Sequence, residues 1–81
     1  MLLTFLLQAT AIGKAAAVLG AALAAFAGAF GISKIGKSAM ESIARQPESA
    51  GNLRSSLIIA AGMVEGAALF AIIVCLLALV L

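Results

Sequence analysis

Two long apolar segments separated by a short polar segment dominate the chain. The first, Ala15–Ser33, lies between Lys14 and Lys34 and carries no charge. The second, Ser55–Leu81, is interrupted only by Glu65. About 20 apolar residues at a rise of 1.5 Å each cross the hydrocarbon of a bilayer, so both segments are long enough. Neither has the polar face that a soluble helix needs. The pattern predicts an all-α membrane protein, a two-helix transmembrane hairpin.

The polar segment predicts where the first helix ends. Apolar residues keep helical spacing from Ile32 to Ile43, which extends this helix beyond the bilayer. Pro47 disfavours helical geometry at Gln46, so the helix should stop near Arg45. We predict one unit over residues 1–81, with helix 1 at about 9–45, a polar loop at 46–52 and helix 2 at about 53–79.

The distribution of basic residues predicts the orientation. Most of them lie in or beside the polar segment, so the positive-inside rule makes the loop cytoplasmic and puts both termini outside. Lys14 can extend to the outer interface. The N-terminus lacks a basic region, and its apolar core, Leu2–Leu7, is too short for a signal peptide. We expect the chain to begin with the first helix and to lie in a bacterial inner membrane.

The amino-acid composition excludes several classes of function. The chain is 65% hydrophobic and 10% charged, whereas soluble domains carry about 25% charged residues. It has no His and a single Cys75, which we interpret as a small packed or lipid-facing side chain. No motif for nucleic acid, metal, phosphate or nucleophilic catalysis is present. We expect no cofactor, no nucleic-acid partner and no catalysis by the chain alone.

The first helix has small side chains around most of its circumference. Ala and Gly fill most positions from Ala15 to Gly31. Four of the large residues share one stripe, at Leu19, Leu23, Phe26 and Phe30. Small residues let helices approach closely in lipid. Since a dimer needs only one such face, the pattern favours a higher-order homo-oligomer.

Glu65 is the candidate functional residue. It lies 11 residues beyond Arg54, roughly 16 Å along a helix and close to the middle of a 30 Å hydrocarbon core. Charged groups at that depth are costly and are functional candidates by default. No basic residue is expected at equal depth, so a structural ion pair is disfavoured. A structural hydrogen bond would not require an acid.

Ion carriage is therefore the favoured role of Glu65. Desolvation disfavours a charged carboxylate, so the group should be neutral at rest and ionise on meeting water or a cation. Counting back from the turn places Ala29–Ser33 at the same depth, with Ser33 as the only polar side chain. A cation needs several oxygen ligands, so the proton is the better candidate. Gly62 and Gly66 flank Glu65 and indicate that another element approaches it.

These residues together resemble the c subunit of F-type ATP synthases. The turn "ARQPE" (Ala44–Glu48), the small-residue first helix and Glu65, placed 20 residues after Arg45, carry the resemblance. It covers almost the whole chain. It implies a ring of identical hairpins, with first helices inside and second helices outside.

The resemblance also implies partners and roles. Glu65 would take a proton from one half-channel of a neighbouring a subunit and release it through another, assisted by an Arg of that subunit. The ring would turn and drive the central stalk, and so ATP synthesis in a separate catalytic head. Arg45, Gln46 and Pro47 would seat the stalk. The helix packing around the site would involve Ala27, Gly28, Ala29, Gly31, Gly62 and Gly66.

Three positions depart from the sodium-binding members of that family. Ile32 stands where those members carry Gln, Gly66 where they carry Ser, and Phe70 where Tyr is common. Each change removes an oxygen or a hydrogen-bonding group, so H+ is favoured over Na+. Lys34 and Lys37 are also unusual for the family. We expect them near cytoplasmic headgroups, where they attract lipid phosphate.

Two other classes of protein remain open on sequence alone. A small pore-forming or holin-like protein would associate through the same small residues and would leak ions. A purely structural membrane oligomer would tolerate Gln in place of Glu65. The rotor is favoured because polarity within the spans is nearly confined to Glu65, whereas a pore lining usually shows a polar stripe.

Overall fold

The computed structural model describes the whole chain, Met1–Leu81, as a helical hairpin. Helix α1 spans Leu2–Arg45, a single 3-10 turn spans Pro47–Ser49, and helix α2 spans Ala50–Val80. The hairpin is long and thin, with extents of 69 × 17 × 8 Å. Both helices are long and apolar enough to cross a membrane. The predicted all-α hairpin is confirmed.

The turn forms where the proline requires it. Gln46 leaves the helical region, with φ −132° and ψ 71°, because a residue before proline is pushed out of α geometry. Its amide still donates to the carbonyl of Ser42 and closes the end of α1. Pro47 then opens the 3-10 turn, a position at which its missing N–H costs nothing. The first helix thus ends at Arg45, where the sequence places its end.

Two helix boundaries differ from those predicted. Helix α1 begins at Leu2 instead of near residue 9, because no proline or glycine interrupts the strong helix formers before Gly13. Helix α2 begins at Ala50 instead of near residue 53. There the 3-10 turn passes directly into α geometry, so the segment at 46–52 is mostly helical.

Very little of the hairpin is shielded by its own fold. Only Ala17 and Gly28 are buried, and large apolar side chains such as Phe26 and Phe70 are about 70% exposed (69% and 74%). So large an apolar surface is stable only in lipid or against other chains. The fold therefore agrees with a membrane environment and leaves wide surfaces for association.

Candidate ion-carrying site

Close contacts between small residues set the register of the two helices. A Cβ built on Gly28 would lie 2.9 Å from the Ala68 Cβ, and one on Gly31 would lie 3.3 Å from Val64. Because of these two close contacts, Glu65, one residue beyond Val64, lies at the same height along the hairpin as the α1 segment around Gly31. Close helix contact thus fixes which residues of α1 share the depth of the carboxylate.

Glu65 lies in a groove along one side of the hairpin. The groove has a volume of about 520 Å³. On the α1 side it is lined by Ala29, Ile32 and Ser33, among other small or apolar residues. These belong to the segment that counting along the sequence places beside Glu65. Glu65 is exposed because α1 and α2 enclose the groove from only two directions. A third element can close over it.

The groove contains few polar groups. Ser33 and Glu65 are its only polar side chains. The single ion pair of the chain joins Glu41 to Arg45 at 3.8 Å, so Glu65 has no ionic partner in the hairpin. No group of three or more His, Cys, Asp or Glu side chains that could hold a metal is present. The arrangement presents one ionisable group in an apolar groove.

The small residues predicted to pack around Glu65 divide into three sets. Gly28 and Gly31 pack against α2, as described above. Ala29 lines the groove of Glu65, whereas Ala27 lines a separate groove with Val64 and Ala67. A Cβ added to Gly62 or Gly66 would have nothing within 4 Å. Within one hairpin, the surface beside these last two glycines is therefore free for another chain.

The match to a known family decides the identity of this fold and site. The family model that describes the c subunit of ATP synthase matches residues 15–78. The chain belongs to the family of ATP synthase c subunits. The predicted resemblance is thereby confirmed over both spans, the turn and Glu65.

Full-length relatives agree. The ATP synthase c subunit of Phocaeicola vulgatus is 60% identical, with all of both chains covered. That of Bacteroides thetaiotaomicron is 56% identical over 95% of each chain. A more distant relative, the c subunit of Lactobacillus helveticus, is 46% identical over 82% of this chain and 86% of its own length.

Family membership defines the role of the hairpin in general terms. The protein is a membrane component of the ATP synthase rotor and is not catalytic itself. Its family implies a ring of c subunits that associates with other subunits of the complex. Ion transport and ATP synthesis fit this membership. The rotor interpretation thus has support that the pore-forming and purely structural interpretations lack.

The turn of the c-subunit hairpin carries the other predicted site residues. Arg45, Gln46 and Pro47 are all exposed at one tip of the molecule. The guanidinium of Arg45 is 3.8 Å from the carboxylate of Glu41, one helical turn earlier, and both side chains are more than half exposed. An exposed pair of this kind adds little stability. The three residues are free to contact another protein.

Two side-chain contacts are not apparent from sequence spacing. Lys34 follows Gly31 by three residues, within about one helical turn of the level of Glu65, next to the segment that counting along the sequence places there. It forms no ion pair with Glu65, and its Nζ lies 5.0 Å from the centre of the Phe30 ring. Cys75 is a packed side chain, since its Sγ is 3.1 Å from a Cβ built on Gly20. The contact of Cys75 with Gly20 depends on the register of the two helices.

Proposed function

We propose that Glu65 carries protons through the membrane sector of the ATP synthase. The observation that supports this proposal most strongly is that Glu65 is the sole ionisable side chain of an apolar groove that is open on one side. A carboxyl group in such surroundings is neutral when apolar side chains or lipid cover it, because desolvation penalises the anion. It can release its proton when the open side meets water. The Glu65 side chain thus alternates between a protonated and an ionised state, depending on whether apolar groups or water cover the groove.

The transported ion in this proposal is H+ and not Na+. A bound metal cation requires several oxygen ligands at fixed distances. The groove offers the carboxylate of Glu65 and the hydroxyl of Ser33, and Ile32 supplies no oxygen. A proton needs a single carboxylate oxygen. No cofactor takes part.

Coupling to rotation requires partners on both sides of each hairpin. Identical hairpins stand side by side in a ring, with α1 inside and α2 outside, so that each Glu65 in turn meets the a subunit. Protonation from one half-channel lets the neutral site move into lipid, and loss of the proton into the second half-channel completes the transfer. An Arg of the a subunit favours the anion at that point. The direction of the proton gradient then sets the direction of turning and drives ATP synthesis.

The turn connects the ring to the rest of the rotor. We infer that the exposed residues Arg45, Gln46 and Pro47 seat the central stalk. In this proposal the turn lies in the cytoplasm and both termini lie on the outer side of a bacterial inner membrane. The basic residues near the turn agree with that orientation.

Labelling with a hydrophobic carbodiimide tests the proton site. This reagent reacts with protonated carboxyls in apolar surroundings, so in the assembled ring it should modify Glu65 and spare the exposed Glu41 and Glu48. Mass spectrometry of peptides locates the adduct. Labelling should fall as pH rises, because the reagent needs the protonated form. Sodium chloride should give no more protection than potassium chloride.

The outcomes separate the candidate roles. Equal labelling of all three acids would contradict a protonated Glu65 in an apolar site. Strong protection by sodium would replace the proton with a sodium ion as the cargo. Leakage of small ions through membranes that contain only the ring would instead support a pore.

A further inference from the structure

Ser33 carries the only hydroxyl group in the groove that holds Glu65. The contact between Gly31 and Val64 fixes its height relative to the carboxylate. Ser33 lies two residues nearer the turn than Gly31, whereas Glu65 lies one residue farther from the turn than Val64. At 1.5 Å per residue, the backbones of Ser33 and Glu65 are therefore separated by about 4.5 Å along the hairpin.

The directions of the two side chains reduce this separation. In an α-helix each Cα–Cβ bond is tilted towards the N-terminus of its own helix. The N-terminus of α1 is remote from the turn, whereas that of α2 is at the turn. The side chain of Ser33 is therefore directed away from the turn and that of Glu65 towards it. The hydroxyl and the carboxylate converge in the groove that both residues line.

The rest of the groove offers Glu65 no side-chain donor. On the side of Glu65 that is remote from the turn, the groove is lined by Ala25, Leu69 and Ile72, which carry no polar group. The hydroxyl of Ser33 makes no hydrogen bond within the hairpin, so it is free to donate. A donor is thus available to the carboxylate only at the end of the groove nearest the turn.

The next polar residues of α1 face a different groove. Lys34 and Ser38 line, with Ser56 of α2, a groove of about 410 Å³ that does not include Glu65. Their polar groups are therefore not placed to contact the carboxylate. Ser38 provides a matched comparison for Ser33, because it carries the same hydroxyl on the same helix without facing the site.

A hydroxyl group suits a carboxyl group that changes its protonation state. It can accept a hydrogen bond from the protonated acid and donate one to the anion. The bond to the anion is the stronger of the two, because hydrogen bonds to charged groups are about twice as strong as neutral ones. A hydroxyl beside Glu65 therefore stabilises the ionised form more than the protonated form.

We propose that Ser33 is a positioning residue that donates a hydrogen bond to the ionised carboxylate of Glu65. The bond holds the anion at the end of the groove nearest the turn, which is the cytoplasmic end in the proposed orientation. Ser33 does not carry the proton itself. This inference rests on proton carriage by Glu65, and it supplies the partner of the carboxylate in the interval between release and uptake of a proton.

The pH dependence of carbodiimide labelling tests the proposal in the assembled ring of the full chain. Ser33→Ala removes the donor, so the protonated form of Glu65 should persist to higher pH. The pH of half-maximal labelling should rise by about one unit, the tenfold change expected for loss of a hydrogen bond to a charged group. Ser33→Thr keeps a hydroxyl and should restore the profile of the unaltered chain. Ser33 is exposed in the hairpin, so neither change disturbs the contact between its helices.

Ser38→Ala is the control and should leave the pH of half-maximal labelling unchanged. An equal shift in Ser38→Ala would overturn the proposal, because the effect would not be specific to the groove of Glu65. An unchanged profile in Ser33→Ala would also overturn it and would leave Glu65 as the proton carrier. A shift to lower pH would show that the hydroxyl favours the protonated acid, contrary to the proposal. Absence of labelling at Glu65 in the unaltered chain would contradict the proton site itself, and this inference with it.

Discussion

Gly28 lies directly against Ala68 in the interface between the two helices. A Cβ on Gly28 would be 2.9 Å from the Ala68 Cβ, closer than two such atoms normally approach. A Cβ is fixed to its backbone, so relief of this contact would require the helices to separate. Both residues also line the groove that holds Glu65. The shape of the site therefore depends on the absence of a side chain at position 28.

We predict that Gly28→Ala destabilises the hairpin although alanine favours helix. The substitution gains about 1 kcal/mol in helix propensity but overpacks the interface, at a cost of about 1–3 kcal/mol. Its thermal midpoint in detergent, followed by circular dichroism, should fall. Gly13→Ala is the control, since nothing lies within 4 Å of its Cβ position, and its midpoint should hold or rise. A higher midpoint for Gly28→Ala would mean that the helices are not in close contact there.

Gly20 and Cys75 should be energetically coupled. A Cβ on Gly20 would lie 3.1 Å from the Cys75 Sγ, so Gly20→Ala pushes against the sulfur. Cys75→Ala removes that atom, and the double variant should lose less stability than the two single variants added together. Neighbouring residues give coupling energies of about 0.5–3 kcal/mol in such cycles. Additive losses would show that the two side chains do not meet.

The sequence contains enough information to predict the hairpin because its boundaries are chemically marked. Pro47 acts on Gln46 through local sterics alone, so the end of α1 is predictable to the residue. The start of α1 is not marked in that way. The segment from Leu2 onwards is helical because nothing breaks it, so the predicted start near residue 9 was wrong.

The candidate site is predictable in part because it, like the end of α1, is chemically marked in the sequence. Glu65 is conspicuous because it is a lone charge in an apolar run, and its depth follows from the helical rise. The contact between Gly20 and Cys75 is not predictable in this way. It depends on the offset between the helices, which the contacts of Gly28 and Gly31 determine in three dimensions. The open surface beside Gly62 likewise requires coordinates.

Glu65→Gln should abolish coupled ATP synthesis and leave the assembly intact. The amide has nearly the shape of the carboxyl group but cannot release a proton at neutral pH. In vesicles that contain the whole ATP synthase, synthesis driven by a pH step should fall to background, while size-exclusion chromatography shows an unchanged ring. Glu48→Gln, in the exposed turn, is the matched control and should retain synthesis. Substantial synthesis by Glu65→Gln would rule out Glu65 as the proton carrier.

Restoring oxygen ligands around Glu65 should create sensitivity to sodium. Ile32 lines the groove with Glu65, and Gly66 has room for a side chain because nothing lies within 4 Å of its Cβ position. The triple variant Ile32→Gln, Gly66→Ser and Phe70→Tyr adds three oxygen-bearing groups, and a larger set of oxygen ligands favours a metal cation. Carbodiimide labelling of Glu65 should then be slowed by sodium chloride but not by potassium chloride. The unaltered chain should be slowed by neither salt.

Comparison of sodium protection of Glu65 in the unaltered chain and in the triple variant shows what excludes sodium from the site. Protection of the triple variant alone would attribute the exclusion to the missing oxygens at these three positions. Protection of the unaltered chain would mean that Glu65 and Ser33 already suffice to hold sodium, and would contradict proton selectivity. Protection of neither would mean that the three added groups do not converge on the carboxylate. In that case the groove geometry around Glu65, and not the chemistry of its lining, would exclude the cation.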